Sequence, residues 1–556
     1  MRERSPAGAR GEGRPGPVCV AARSGAAFHG VVAATYVTRL IAALEGHAGR
    51  PALGGAGLGG RVLDHGALLE EVYRIAGVLG DAGVCRGSGL ACVLGENRAQ
   101  ALLLRTAAHV LGARLTLVVR DPAVYGVEHL LRDCRPGLVV HDIPVPDTGV
   151  PRLTLAEVLT RAALRRAVAV PVAAREDDVA RVTYTGGTTG RPKGVVTTFR
   201  ALAARPGGAA GQRDPETYVS VTSLAARSGG RCLEHWRAGG RVEVLSGFDA
   251  GELAAACRRL GSASTYLMSP MIYRLLEDPR TADGIPGLEA ISYGAAPILP
   301  RRLRQAVAAW GCRWQQGYGT TEAAVITRLT PADHAAAVAG RPRLLGSVGR
   351  PAAGVEIEVR EGGEAGRPLP AGQVGEVWVR SAARMSGYWM LPDLTAQVLR
   401  DGWLRTGDLG HLDGEGYLYL DDRVEDMVVV DGDNVYGLPV EAALTRHPAV
   451  AQAAVVGRPH ALTGEEVCAF LVPAPGCAAS EAAAAEACAL VAERLAPAHR
   501  PTTIRWTERL PLTGSGKVDK RTLRAMAMAG TRPDRPLTDG LRSNYSTPRA
   551  SHPDLW

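Results

Sequence analysis

The sequence predicts an α/β protein: a large N-terminal domain with mostly parallel sheets and a small antiparallel subdomain, followed by a small C-terminal α/β domain. Strand-like and helical apolar patterns alternate between residues 67 and 310, which is typical of parallel sheets covered by helices. Beyond residue 345, short strands separated by glycine turns predict antiparallel pairing. A chain of 556 residues also exceeds what one hydrophobic core holds, which predicts several domains.

The elements follow from the spacing of apolar residues along the chain. Apolar residues that recur every three to four positions predict helices, and Asn97 is placed to cap the second of them. Short β-branched and aromatic runs between turn residues predict strands, and Ser480 opens an alanine-rich helix near the C-terminus. The predicted helices are 67–79, 97–110, 250–260, 270–276 and 300–310, and the predicted strands are 115–119, 137–141, 264–268, 288–293, 355–359, 375–379, 417–420, 450–456 and 467–472.

A charged run at residues 421–426 reads as a connector between two domains. It predicts a large domain over residues 31–422 and a small domain over residues 423–530. The segments 1–30 and 531–556 are rich in Arg, Pro, Gly and Ser, and we expect them to be flexible tails.

The composition argues against several classes of protein. The net charge of +8 is small for this length, and no basic run has interleaved aromatic residues, so we expect no nucleic-acid partner. The ten cysteines form no CxxC pair and no zinc-site spacing, which is typical of reduced thiols in a cytoplasmic protein. No apolar stretch reaches eighteen residues, so we expect no membrane span.

Residues 184–194, YTGGTTGRPKG, are the most informative stretch of the chain. Glycines let backbone N–H groups turn inward around an anion, and threonine hydroxyls and a lysine add donors and positive charge. The stretch is not a Walker A loop, because Pro192 precedes Lys193 and Gly194 follows it. It predicts a phosphate-binding loop, against the alternative of an ordinary Gly/Thr surface loop.

The distribution of lysines favours chemistry at this loop. The chain has 64 lysines and arginines, and the only lysines are Lys193, Lys517 and Lys520. Arginine has replaced almost every surface cation, so a retained lysine indicates a need for a compact ammonium charge. Lys517 and Lys520 lie in a second glycine-containing stretch, residues 511–520, and we interpret Lys520 there as a solvated cation at a helix start without a catalytic role.

Five stretches in this order resemble the signatures of the adenylate-forming superfamily, which includes acyl-CoA synthetases, peptide-synthetase adenylation domains and luciferases. They are the loop at 184–194, YGTTE at 318–322, WLRTGD at 403–408, DRVED at 422–426 and PLTGSGK at 511–517. The runs SYGAAP at 292–297 and QGYGTTE at 316–322 are most similar to the fatty-acyl-CoA ligase branch.

The resemblance implies a two-step reaction in which ATP, with Mg²⁺, converts a carboxylic acid into an acyl-adenylate. The thiol of coenzyme A, or of a carrier-protein phosphopantetheine, then displaces AMP. Two anions must meet in the first step, which explains the need for fixed donors and cations. The family's small domain rotates between the steps, so the resemblance also implies that residues 423–530 are mobile.

The resemblance assigns roles residue by residue. Lys517 would bridge the acid and the α-phosphate, Thr321 would contact that phosphate, Lys193 would hold the β- and γ-phosphates, and Glu322 would bind the metal. Glu425 would be the hinge, Gly432 would line the CoA tunnel, and Ala226 and Gly229 would border the acyl pocket. The remaining nucleotide-binding residues would be Thr185, Gly186, Gly187, Thr188, Thr189, Gly190, Gly294, Ala295, Ala296, Tyr318, Gly319, Thr320, Asp408 and Arg423. Simpler alternatives are a turn role for Asp408 and a helix-start carboxylate for Glu322.

The chain also departs from the family pattern. Gly186 stands where serine is common, Glu425 replaces the usual Asp or Lys, and residues 431–439 only partly match the tunnel loop. The largest departure is the segment 222–229, TSLAARSG, where Ser223 and Ala226 replace a proline and a histidine or aromatic residue. The smaller side chains would make room for a bulky acid, and they could also weaken adenylation.

Three hypotheses follow. The first is a complete acyl-CoA synthetase for a fatty or bulky polycyclic acid. The second is an enzyme specialised for thioester formation from an adenylate that a partner enzyme supplies. The third is a non-catalytic nucleotide- or acyl-binding relative, against which the retained lysines argue.

Overall fold

Two largely parallel sheets form the frame of the large N-terminal domain in the computed structural model, which describes residues 35–119, 126–185, 192–205, 217–362, 366–430, 433–460, 462–495, 497–513 and 517–529. The predicted tails lie outside these ranges. The elements of the first part of the chain are α1 (Tyr36–Gly46), β1 (Pro51–Gly55), β2 (Leu63–Asp64), α2 (His65–Asp81), β3 (Gly89–Leu94), α3 (Gln100–Val110), β4 (Arg114–Val119), α4 (Val127–Cys134), β5 (Leu138–His141), β6 (Arg152–Thr154), α5 (Leu155–Ala163), β7 (Val179–Thr185), β8 (Lys193–Thr198), α6 (Phe199–Ala203), β9 (Thr217–Ser220), α7 (Arg227–Arg237), β10 (Arg241–Val244), α8 (Ala250–Leu260), β11 (Ala263–Met268), α9 (Ser269–Glu277), β12 (Leu288–Gly294), α10 (Pro300–Ala309), β13 (Arg313–Thr320), β14 (Ala324–Leu329), α11 (Pro331–Val338) and β15 (Arg350–Pro351).

The second part of the chain adds an antiparallel subdomain and the small C-terminal domain. Its elements are β16 (Val355–Arg360), β17 (Gly375–Ser381), β18 (Gly387–Tyr388), α12 (Pro392–Val398), β19 (Leu399–Arg400), β20 (Trp403–Leu412), β21 (Leu418–Arg423), β22 (Val428–Val430), β23 (Asp433–Val435), α13 (Gly437–Leu444), β24 (Val450–His460), β25 (Gly464–Pro473), α14 (Glu481–Arg494), β26 (Thr503–Trp506) and α15 (Lys520–Ala529).

The strands form four sheets within the described residues. The two large sheets run β15-β14-β13-β12-β11-β9-β10-β1-β2 and β18-β8-β7-β4-β3-β5-β6. The subdomain sheet runs β16-β17-β20-β19 with β21 against β20, and the C-terminal sheet runs β23-β22-β25-β24 with β26 against β25. The predicted fold class, with parallel sheets first and antiparallel strands after residue 345, is therefore confirmed.

Helix α3 is buried along its whole length. A helix with no solvent face must pack on all sides, and the apolar residues of α3 belong to a core cluster that also contains residues of β3, β4 and α7. This placement also brings the polar side chain of Arg105 into the interior, where it is 2% exposed.

One predicted cap is wrong. Helix α3 starts at Gln100, and its N-cap residue, Ala99, makes no side-chain cap hydrogen bond. Asn97 instead bonds to a distant segment, as described below. Ser480 does cap α14, because its side chain accepts a hydrogen bond from the N–H of Ala483. Helix α8 has the predicted bounds, 250–260.

Candidate active site

The motif strands β12 and β13 lie side by side and parallel, with Gly294 opposite Gly317. Two sequence signatures therefore end at the same sheet edge. A Cβ on Gly294 would lie 2.3 Å from the Gly317 carbonyl oxygen, so only glycine allows this approach. The next residue, Ala295, has a φ of +67°, an unfavourable conformation for a residue with a side chain and one that is frequent at functional sites.

Lys193 lies at the base of the glycine loop, where β7 and β8 pair as a hairpin with Thr185 opposite Lys193. The predicted phosphate ligands Gly186, Gly187, Thr188, Thr189 and Gly190 lie outside the described residues.

Tyr388 connects this hairpin to the second signature. The Lys193 Nζ lies 5.7 Å from the centroid of the Tyr388 ring, and the Tyr388 hydroxyl donates to Glu322 Oε1 at 3.1 Å. Strand β18 holds Tyr388 opposite Val195 on β8. Nothing in the sequence pattern marks Tyr388 as a site residue, because its contacts come from pairing between segments almost two hundred residues apart.

Glu322 fits a metal role. It lies in a turn after β13, which excludes the helix-start alternative. Its carboxylate is half-buried, and among the described residues no Lys, Arg or His lies within ion-pair distance of it. Carboxylate oxygens without a cationic partner are the ligands that Mg²⁺ prefers. The adjacent Thr320 has its hydroxyl engaged as an acceptor from the N–H of Ala323 at 3.0 Å.

Asp408 is held from two sides. Arg423 Nε donates to Asp408 Oδ1 at 2.9 Å, and the Tyr318 hydroxyl donates to Asp408 Oδ2 at 2.5 Å. Burial, and then the Asp408 charge, raise the pKa of Tyr318, so this phenol remains a donor. Each carboxylate oxygen still has a free lone pair, so the Asp408 carboxylate can accept two further hydroxyl donors.

Lys517 reaches the same cleft from the C-terminal domain. It is accessible to solvent, yet the surrounding protein and the Arg423 guanidinium lower its pKa, while the Asp408 and Glu322 carboxylates oppose that shift. The Lys517 ammonium is therefore within electrostatic range of Asp408, the predicted nucleotide ligand, and of Glu322, the predicted metal ligand. Lys193, through the Tyr388 ring, and Lys517, through this electrostatic interaction, are thus both linked to Glu322.

The predicted hinge lies between β21 and β22. Arg423 Nη1 donates to Glu425 Oε1 at 3.3 Å, and Arg524 Nη2 donates to the Glu425 carbonyl oxygen at 2.9 Å. Arg524 also pairs with Asp426 at 2.5 Å. The predicted tunnel residue Gly432 lies outside the described residues.

The interpretation of Lys520 as a solvated cation is wrong. Its Nζ lies 3.6 Å from Asp422 Oδ1 and 3.4 Å from Glu441 Oε1, and all three side chains are largely buried. Despite its burial, the pKa of Lys520 is raised by these two carboxylates. Lys520 therefore joins the last strand before the hinge to the C-terminal domain.

The predicted acyl segment, 222–229, leads into helix α7. Ala226 is exposed, and Gly229 is buried in the first turn, where a Cβ would lie 2.0 Å from the Leu224 carbonyl oxygen. Asn97 fixes this segment: its Nδ2 donates to the Thr222 carbonyl at 3.0 Å, and its Oδ1 accepts from the Leu224 N–H at 3.1 Å.

Comparison with known proteins gives the family. The AMP-binding enzyme family matches residues 41–389, and the C-terminal domain of AMP-binding enzymes matches residues 439–517. The chain belongs to the AMP-binding enzyme family. The predicted resemblance to adenylate-forming enzymes of the acyl-CoA synthetase branch is thus confirmed.

Two relatives and one solved structure illustrate the similarity. The medium/long-chain-fatty-acid–CoA ligase FadD8 of Mycobacterium tuberculosis is 33% identical, over 88% of this chain and 90% of its own length. A feruloyl-CoA synthase of Amycolatopsis is 32% identical, over 84% and 94%. The amide bond synthetase McbA of Marinactinospora thermotolerans superposes with a TM-score of 0.76 at 31% identity, over 88% and 99%.

This chain is an AMP-forming acid–CoA ligase, a class of enzyme whose co-substrates are ATP and CoA. Within the described ranges, every helix is too short or too polar to cross a bilayer.

Proposed function

We propose that this ligase carries out both half-reactions on a medium-chain, long-chain or ring-bearing carboxylic acid, with CoA as the thiol acceptor. The observation that carries the proposal is the convergence of Lys193 and Lys517 on Glu322, through Tyr388 on one side and through electrostatic contact on the other. Scarce ammonium groups from two domains that lie near one carboxylate, with neither ion-paired to it, suit the binding of a polyphosphate and a metal.

In the first step a carboxylate oxygen of the acid bonds to the α-phosphorus of ATP, and the bond to pyrophosphate breaks. Lys517 would hold the two anions together, with Thr321 on the α-phosphate. Lys193, Thr185 and the loop residues Gly186–Gly190 would hold the β- and γ-phosphates. When bound at Glu322, Mg²⁺ would neutralise phosphate charge.

The nucleoside would occupy the edge formed by β12, β13 and β20. Asp408, positioned by Arg423 and Tyr318, would accept the ribose hydroxyls. Gly294, Ala295 and Ala296 would border the adenine, beside Gly319 and Thr320. The close contact of the Gly294 and Gly317 backbones leaves no room for a side chain between β12 and β13 at this point.

In the second step the thiol sulfur bonds to the acyl carbon, the bond to AMP breaks, and the thiol proton leaves. We propose that residues 423–530 rotate about Glu425 between the steps, which withdraws Lys517 and lets the loop at Gly432 line a thiol tunnel. The polar contacts of Glu425 and Asp426 with Arg423 and Arg524 support a hinge role for this segment.

The acid class is supported by the exposed Ala226, which leaves space at the acyl segment, and by FadD8 and the feruloyl-CoA synthase, which act on fatty and aromatic acids by name. A carrier-protein thiol is an alternative acceptor. The similarity to the amide bond synthetase McbA makes an amine acceptor a second candidate function.

Two assays test the proposal. ATP–pyrophosphate exchange with a panel of fatty and ring-bearing acids measures the first step. A synthetic acyl-adenylate supplied with CoA, a carrier protein bearing phosphopantetheine or a primary amine measures the second. Exchange and CoA acylation together support the proposal, CoA acylation alone supports the single half-reaction, and product with the amine alone supports amide synthesis. A lack of both activities contradicts it.

We expect Lys517→Ala to lower the rate of pyrophosphate exchange by about 10²–10³, because it removes a preorganised cation at the reacting oxygens. Acylation of CoA from the synthetic adenylate should change less than about threefold, since Lys517 has left the cleft by then. Arg521→Ala, at an exposed arginine nearby, is the matched control. An equal loss in both assays would contradict the role of Lys517.

A further inference from the structure

Four arginines surround the first turns of helix α7, beside the acyl segment. Arg105 on α3 and Arg181 on β7 are 2% and 9% exposed, and Arg205 and Arg227 are half-buried. Besides burial, the charges of Arg105 and Arg227 lower the pKa of Arg205, and those of Arg205 and Arg105 lower the pKa of Arg181. The four guanidinium groups therefore form one positively charged group, which we call the arginine cluster.

The cluster lacks matching negative charge among the described residues. The Nε atoms of Arg105, Arg181 and Arg205, and Nη2 of Arg105, are buried without hydrogen-bond partners there. Glu234 is the carboxylate that acts on Arg105 and Arg205. Burial lowers the pKa of Arg205 to about 10 and also lowers that of Arg105.

Such an arrangement is unfavourable unless an anion completes it. A guanidinium group keeps its proton at neutral pH, and an uncompensated buried charge is strongly destabilising. Its fork of N–H donors matches a carboxylate or a similar anion in a bidentate pair. The cluster is therefore suited to an anionic ligand.

The position of the cluster indicates which kind of anion it would bind. Arg227 Nη2 lies 2.6 Å from where a Cβ on Gly317 would stand, next to Tyr318 on the nucleotide-binding strand. Arg105 Nη1 lies 2.8 Å from the corresponding position at Gly229. A small cavity of about 10 Å³ lies between Arg105, Arg181 and Ala225. The cluster thus lies between strand β13 and the predicted acyl segment.

We propose that the acid activated by this ligase carries a second anionic group, remote from the reacting carboxylate, and that Arg227 binds it in the acyl pocket with Arg105, Arg181 and Arg205 supplying positive potential behind it. This inference rests on the proposed function. The inference narrows the proposed substrates from fatty or ring-bearing acids in general to those that carry a second anionic group away from the reacting carboxylate. The competing interpretation is that the arginines only stabilise the fold.

The test compares saturated α,ω-dicarboxylic acids of four to twelve carbons with the monocarboxylic acids of equal length. Pyrophosphate release with ATP and CoA gives kcat/KM for each acid. We expect the best dicarboxylate to exceed its matched monocarboxylate by roughly 10–100-fold, the range that a charge-assisted hydrogen bond provides. A preference for monocarboxylates at every length would overturn the proposal.

Variants of α7 separate binding from folding. Arg227→Leu should lower the ratio of kcat/KM for the dicarboxylate to kcat/KM for its matched monocarboxylate to about one, mainly by raising KM for the dicarboxylate, and Arg227→Lys should restore part of that ratio. Arg237→Leu, at an exposed arginine on the same helix, is the matched control and should keep the wild-type ratio. An equal loss for both acids in Arg227→Leu would support the purely structural interpretation and overturn the proposal.

Calorimetric titration keeps this inference distinguishable from the proposed function. The same dicarboxylates are titrated into the full chain in the presence of a non-hydrolysable ATP analogue. If no acid releases pyrophosphate, the proposed function fails, yet dicarboxylate binding that Arg227→Leu abolishes would still support the anionic subsite. Absence of any dicarboxylate binding to the wild-type chain would overturn it.

Discussion

At the scale of single residues, the site depends on the charge states of a few side chains, and Lys517 is the most sensitive of them. In the proposed first step, its ammonium must be protonated to hold two anions together. Its surroundings and Arg423 lower its pKa below the value of 10.5 for an ordinary lysine. The proposed reaction is therefore sensitive to alkaline pH.

We expect the rate of pyrophosphate exchange to fall as pH rises through this lowered pKa. The direction of the effect of an Arg423 substitution follows from the positive charge of Arg423, which disfavours the protonated form of Lys517. In Arg423→Gln the pKa of Lys517 should rise, so the alkaline limb of the pH profile should move to higher pH, whatever happens to the absolute rate. Lys517→Arg, which stays charged throughout, should lack that limb. An unmoved limb in Arg423→Gln would contradict this account.

The scarcity of lysine in the sequence predicted two residues of the site, whereas other residues there have no compositional signal. Lys193 and Lys517 stood out because the chain has so few lysines, and the structure brings both to Glu322. Tyr388 and Asn97 carry no such signal, since tyrosine and asparagine are ordinary residues whose partners lie far away along the chain. The arginine cluster has no such signal, because the compositional bias that makes lysine rare also makes arginine common.

At the scale of elements, local patterns predicted helices and strands well where they depend on apolar spacing, as at α8. The prediction was wrong at Asn97, because a capping residue and a residue that binds a distant segment look alike in sequence. Its two hydrogen bonds to the segment before α7 are buried tertiary contacts. The conformation of the acyl segment therefore depends on a residue that lies 125 positions away in the sequence.

We expect Asn97→Ala to lower the free energy of unfolding by about 2–4 kcal/mol, because it leaves a buried carbonyl and a buried N–H without partners. Urea denaturation measures this loss. Asn97→Asp keeps the acceptor for the Leu224 N–H but loses the donor to Thr222, so it tests the two bonds separately. A loss below about 0.5 kcal/mol in Asn97→Ala would show that the segment does not depend on these bonds.

At the scale of the whole molecule, Lys520 joins the two domains. Asp422 lies at the end of β21, Glu441 lies in α13, and Lys520 begins α15. Burial raises the pKa of both carboxylates, and Lys520 opposes that shift. The charged run at residues 421–426 predicted a boundary between two domains, but the ion cluster that connects them could not be read from sequence, because it joins three separate elements.

We expect Lys520→Met to lower the free energy of unfolding by about 3–5 kcal/mol at neutral pH, since two buried carboxylates lose their cation. Without Lys520 their folded-state pKa values rise further above the unfolded values, so protonation favours the folded variant. The difference in melting temperature between wild type and Lys520→Met should therefore shrink as pH falls from about 7 to about 5. Arg521→Met is the control. A gap that is constant with pH would contradict the ion-cluster account.

The contrasting surroundings of Lys517 and Lys520 have a practical consequence for labelling. Lys517 is reachable from solvent and loses its proton more easily than an ordinary lysine, whereas Lys520 is enclosed by carboxylates that keep it protonated. Apart from the amino terminus, the chain offers a single further primary amine, at Lys193. Between Lys517 and Lys520, an amine-reactive dye should therefore attach to Lys517, and there it would report the proposed rotation of residues 423–530 without an engineered cysteine.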